Sequence, residues 1–204
     1  MGKYNAAETY YRRGLSNLSS NDNQNISLYY YELGRLAKIK GKYESSLQLL
    51  FQSLDIDIKS SKSNDPNIAN TYNTIGNVYQ AQSDYKQALE FYDKALIILR
   101  RAYGESDPHV AMCLNNIGAV YQKQGKHKEA LGYYQDALVI REKHLPCNDP
   151  ELGASHNNVG IVYRCLGYTD EALKHYKIAL EIYKATLPVI QIKQSVQRVL
   201  SKLK

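Results

Sequence analysis

Tryptophan is absent from this chain of 204 residues, and phenylalanine and methionine occur only twice each. Its three cysteines, Cys113, Cys147 and Cys165, are an odd number with no CxxC spacing. That excludes a disulfide framework and a zinc knuckle, and it suits reduced thiols in a cytoplasmic protein. No run of 18 apolar residues occurs, and the N-terminus lacks the apolar stretch of a secretory signal, so no membrane partner is expected. Catalytic signatures are missing as well. There is no GxxxxGK[ST] phosphate loop, no GxSxG elbow, no HExxH and no Glu-x-Glu pair. His109, His127, His144, His156 and His175 are scattered without ligand spacing, and His156 stands where an aromatic residue stands 84 positions earlier, at Tyr72. No enzyme activity, metal or cofactor is expected. The net charge of +6 invites a nucleic-acid reading, but the segment 189–204 holds four of those charges in Lys193, Arg198, Lys202 and Lys204. A bias that local reads as a solvated helix face, and nucleic acid is not an expected partner.

Tyrosine is what the chain has in excess, with 19 copies, and most recur at fixed positions. The stretch Asp107–Arg141 (DPHVAMCLNNIGAVYQKQGKHKEALGYYQDALVIR) matches the stretches beginning at Asp65 and Asp149, each displaced by 42 residues. Self-similarity at a fixed period of this size marks a stacked repeat architecture. Each unit reads as a helical hairpin. Asp before Pro supplies an N-cap and a preset first helical position. Ile68, Tyr72, Ile75 and Tyr79 then share one helical face, and Ala88, Leu89, Tyr92, Ala95, Leu96 and Leu99 make a second. The expected fold is an all-α, right-handed α-solenoid of stacked antiparallel helix hairpins.

The expected organisation follows the period. Residues 1–18 read as a lone second helix of an incomplete repeat, as though the chain began inside a longer array. A bare hairpin face there implies self-association. Residues 23–61 form a divergent repeat 1, in which Asn23 takes the place of the capping Asp, Ala37 replaces Tyr, and Ser46 and Ser53 replace Ala. Repeats 2, 3 and 4 cover 65–106, 107–148 and 149–188. In 189–204, Ile192, Val196, Val199, Leu200 and Leu203 make one apolar stripe, read as a C-terminal capping helix.

The alternation of small and large residues resembles the tetratricopeptide repeat. The features that carry the likeness are Ile75-Gly76, Tyr79, Ala88, Tyr92 and Ala95. They return as Ile117-Gly118, Tyr121, Ala130, Tyr134 and Ala137, and again as Val159-Gly160, Tyr163, Ala172, Tyr176 and Ala179. The longer period and the Asn-Asn-(Ile/Val)-Gly core are similar to the kinesin light chain subclass. The resemblance implies a concave surface lined by the first helices and occupied by a peptide of a partner protein. The chaperone-binding clamp of some relatives is not reproduced. Such arrays also occur appended to enzymes, including arginine ADP-ribosyltransferases, so a regulatory array of a multidomain enzyme is the alternative expectation.

Helical spacing assigns the candidate groove positions. They are Asn70, Asn73, Asn77 and Gln80 in repeat 2, Met112, Asn115, Gln122 and Lys123 in repeat 3, and Asn157, Ile161 and Arg164 in repeat 4. Arg35 and Lys38 are their counterparts in repeat 1. The column Asn73, Asn115, Asn157 offers a donor and an acceptor at each step for the backbone of an extended peptide, as the resemblance also implies. Asn116 and Asn158, one residue on, are assigned to helix contacts. The cations, with no acid among these positions, predict an acidic segment as ligand.

Overall fold

The computed structural model describes residues 2–19, 22–60 and 65–186, so the apolar stripe of 189–204 lies outside them. Among the described residues there are nine helices and no strand. They are α1 (Gly2–Asn17), α2 (Asn23–Ile39), α3 (Tyr43–Ser60), α4 (Pro66–Ala81), α5 (Tyr85–Tyr103), α6 (Pro108–Lys123), α7 (His127–His144), α8 (Pro150–Cys165) and α9 (Thr169–Thr186). The chain divides into two compact units, Met1–Gly104 and Glu105–Lys204. In the first, α2 pairs with α3 and α4 with α5, and α1 packs on α2. In the second, α6 pairs with α7 and α8 with α9. None of these helices is long and apolar enough to cross a membrane.

Local chemistry starts each hairpin. Asp65, Asp107 and Asp149 accept hydrogen bonds of 2.8 Å from the backbone N–H groups of Asn67, His109 and Glu151, with proline in the first helical turn. Caps of this type stabilise a helix by about 1 kcal/mol. In α2 the cap is Asp22, whose side chain accepts from Asn25 N–H. Asn23, expected from the period to cap this helix, is instead its first residue. Without a proline to fix the start, the better acceptor one position earlier takes the cap. The turns inside the hairpins place Gly41, Gly125 and Gly167 at φ of 73°, 74° and 84°. The equivalent residue of the second hairpin is Ser83, held at φ 64° without a glycine's freedom.

The hairpins close on a glycine and a large side chain. A Cβ at Gly76 would stand 2.7 Å from the Tyr92 ring, at Gly118 3.0 Å from Tyr134, and at Gly160 2.8 Å from Tyr176. The second-helix side chain lies flat on the first-helix backbone, and burying a group of this size contributes about 1.5–3 kcal/mol. In α2–α3 the same place is held by Leu50 over Gly34. There Ser46 and Ser53 stand at buried alanine positions, and each has a partner. Ser46 Oγ donates to Gly34 O at 2.7 Å, and Ser53 Oγ meets Ser27 Oγ at 2.9 Å. Burying these hydroxyls is tolerable because both are satisfied.

Candidate functional site: the first-helix surfaces

The residues expected to line a groove sit on α2, α4, α6 and α8, and their environments differ. Asn73 and Asn157 are nearly buried, at 6% and 9% exposure, and both take part in interactions within the protein. Each lies on the inner side of its own first helix. Asn115 is half-buried, and its Oδ1 accepts a 3.1 Å bond from Asn158 Nδ2 on the neighbouring first helix. Asn70, Asn77, Gln80, Met112, Gln122, Ile161 and Lys38 are half-buried, whereas Arg35, Lys123 and Arg164 are exposed.

A second-helix tyrosine organises the amides. Tyr134 Oη donates to Gln122 Oε1 at 2.8 Å. Tyr92 Oη lies 2.8 Å from Asn77 Oδ1 and 3.0 Å from Gln80 Oε1, one hydroxyl proton set between two carbonyls. Burial pushes the Tyr134 phenol well above the usual tyrosine range, so it stays a donor. The outcome is directional. Gln122 and Asn115 both spend their carbonyl oxygens on the protein, and the amide N–H groups are what they have left to offer a ligand.

The fourth hairpin breaks this pattern. Arg164 occupies the place of Gln80 and Gln122, and a guanidinium only donates. Tyr176 is 1% exposed, and its hydroxyl finds no acceptor for its proton. Burial raises its pKa, and Arg164, as a hydrogen-bond donor and as a positive charge, opposes the shift. The first hairpin breaks it differently, with Leu50 in place of the tyrosine and Lys38 in place of the glutamine. Burial lowers the Lys38 pKa, and Arg35 adds to the effect. Arg35 itself donates to Glu32 at 3.0 Å, so its charge is already matched.

The helix starts of the first unit also frame a cleft of about 690 Å³. Among the described residues its lining includes Asp22, Asp57 and Asp65 with Asn25, Asn70 and Tyr31, and no lysine or arginine. Asp57 comes from α3, and its pKa is raised mainly by burial. It stands on a second helix, outside the first-helix positions that helical spacing assigns to a groove. The cations Lys123 and Arg164 lie in the other unit. Among the described residues no group of three or more His, Cys, Asp or Glu side chains is placed to hold a metal ion.

Sequence profiles of the tetratricopeptide repeat match residues 67–143 and 153–189, more than half of the chain. No curated relative matches it in sequence. Among solved structures, BtubC (BKLC) from P. vanneervenii superposes with a TM-score of 0.80 at 23% identity, covering 92% of this chain and 77% of that one. A putative kinesin light chain from Podosopora anserina with nearly identical TPR-like repeats gives a TM-score of 0.69 at 20% identity, over 91% and 88% of the two chains. MamA gives 0.62 at 20% identity, over 90% and 91%. These likenesses concern the fold, an all-α solenoid of the kind built from kinesin-light-chain-like hairpins. Matching profiles, recurrent glycine–tyrosine closures and Asp-Pro starts agree, and the chain belongs to the tetratricopeptide repeat family, whose repeats serve in general as protein-interaction scaffolds.

Proposed function

We propose that this protein is a non-enzymatic scaffold whose first-helix surfaces hold an extended, acidic segment of a partner protein. One observation carries the reading. Gln122 and Asn115 commit their carbonyls internally, so the α6–α8 surface offers N–H donors beside the cations Lys123 and Arg164. Backbone carbonyls and side-chain carboxylates are the acceptors that such a surface matches. Met112 and Ile161 add apolar contact next to these donors. The acidic segment is assigned to α6 and α8 of the second unit; in the first unit the cleft lined by Asp22, Asp57 and Asp65 disfavours a carboxylate, and Asn70, Asn77 and Gln80 offer that unit's own amide surface. Asn73 in the first unit and Asn157 in the second are nearly buried, so each is assigned to the support of its own helix surface.

The test titrates labelled extended peptides, one rich in Glu and one rich in Lys, against the protein and an Arg164→Glu variant at two salt concentrations. The acidic peptide should bind and lose affinity with salt, and the charge reversal should weaken it by about 1–3 kcal/mol, the range of a charge-assisted contact. Equal binding of the basic peptide, or an unchanged affinity in the variant, would remove α6 and α8 from the site.

A further inference from the structure

Repeats 2 and 3 close each hairpin with a stacked aromatic pair, Tyr79 on Phe91 and Tyr121 on Tyr133, with ring centroids 5.5 and 5.3 Å apart. Repeat 4 keeps the stack but changes its chemistry, since Tyr163 lies on His175 at 5.5 Å. The neighbouring contact changes too. Tyr72 faces Phe91 at 6.0 Å in repeat 2, whereas in repeat 4 His156 faces His175. The two imidazoles meet edge to edge, with Nδ1 3.0 Å from Nδ1. His156 is only 7% exposed.

A hydrogen bond between two Nδ1 atoms needs one proton, on one ring, and a lone pair on the other. One additional proton is tolerated, because it can reside on an outer Nε2. His156 Nε2 has Glu142 of α7 at 3.7 Å, and a protonated His175 would lie on the face of Tyr163. A second proton is not tolerated. Both Nδ1 atoms would then carry hydrogen and confront each other at contact distance, with two like charges in a partly buried site.

We propose that His156 and His175 form a proton-operated latch, which holds α8 to α9 while it carries no more than one extra proton and forces them apart when both rings are charged. The charges facing it are Glu142 from α7 and Glu171 and Lys174 from α9, with Glu181 lining the same cleft as His156. These acids temper the repulsion without abolishing it. Both rings have their pKa lowered, in each case chiefly by burial, and His175 further by the neighbouring His156. The sign follows. The unfolded chain takes up these protons near the ordinary histidine value and the folded chain only at lower pH, so acidification favours opening. The opening is transmitted, because Gln135 of α7 donates to Tyr163 Oη at 2.9 Å and that ring rests on His175. The site is independent of the proposed peptide surface.

Imidazole ¹⁵N signals of the intact protein, followed from pH 8 to pH 4.5, test the latch without any variant. The expected result is one shared Nδ1 proton at high pH and a second protonation displaced below the first. Two independent titrations at the ordinary histidine value would overturn it. Amide exchange supplies the second arm. Protection factors of α8 and α9 should fall by roughly tenfold between pH 7.5 and pH 5, because the folded pair takes up protons less readily than the unfolded chain. His156→Tyr with His175→Phe, which copies the pair of repeat 2, should remove that pH dependence. The same fall in the double variant would also overturn the proposal, and should the variant not fold, the titration of the unaltered chain decides alone.

Discussion

The third and fourth hairpins share one backbone plan and one closure, yet their buried tyrosines have opposite fates. Tyr134 gives its proton to Gln122 and is satisfied. Tyr176, in the same position, meets the Arg164 guanidinium where a carbonyl would be, so its hydroxyl finds no acceptor for its proton. The fourth hairpin thus departs from the repeat's own solution at Arg164, at His156 and at His175. All three departures put basic side chains where the second and third hairpins keep neutral amides or apolar and aromatic groups.

The harshest way to break the comparison is to destroy the closure that the two hairpins share. Gly118→Leu puts a branched side chain where even a Cβ would stand 3.0 Å from Tyr134, and overpacking of this kind costs about 1–3 kcal/mol or more. Chemical denaturation should show the loss, and an unchanged midpoint would mean that the two helices do not meet at this point. A finer pair of variants separates the two hydroxyls. Tyr134→Phe should cost about 1 kcal/mol, because it deletes a satisfied buried hydrogen bond. Tyr176→Phe should be neutral or stabilising, and an equal loss in both would contradict the contrast. Arg164→Gln restores the residue of the second and third hairpins. It should raise thermal stability while weakening the acidic peptide, two outcomes that simple surface scatter would not couple. The smallest expected effect is at the turn. Ser83→Gly relieves a left-handed residue and should stabilise the second hairpin by about 0.5–1 kcal/mol, and a loss of stability would show that Ser83 is not strained.

Helix starts and the closure of each hairpin were legible in the sequence because they rest on local rules and a strict period. Asp-Pro caps and glycine opposite tyrosine need no knowledge of the rest of the molecule. The cap of α2 was misplaced by one residue because the period was followed where the local chemistry of Asp22 prevails. The site was read less well, for reasons of the same kind. Helical spacing puts Asn73, Asn115 and Asn157 on one line, but it does not say how deep that line sits, and two of the three are nearly buried. Asp57 enters the cleft of the first unit from a second helix, outside the face being counted. The histidine pair was missed because its members are 19 residues apart and belong to different helices. Aligning Tyr72 with His156 and Phe91 with His175 would have exposed it, since contacts repeat with the period as faithfully as residues do.

The Asp-Pro junctions also govern how such a chain can change length. Each first helix from α4 onward brings its own start signal, and the chain needs nothing from the preceding hairpin to initiate it. A duplication or excision that begins at one Asp-Pro and ends just before the next therefore moves a self-capping cassette of 42 residues and leaves every remaining helix correctly begun. The boundary is a recombination point at which gaining or losing a repeat leaves no exposed helix end, so arrays of this type can grow or shrink by whole hairpins while each hairpin diverges in private.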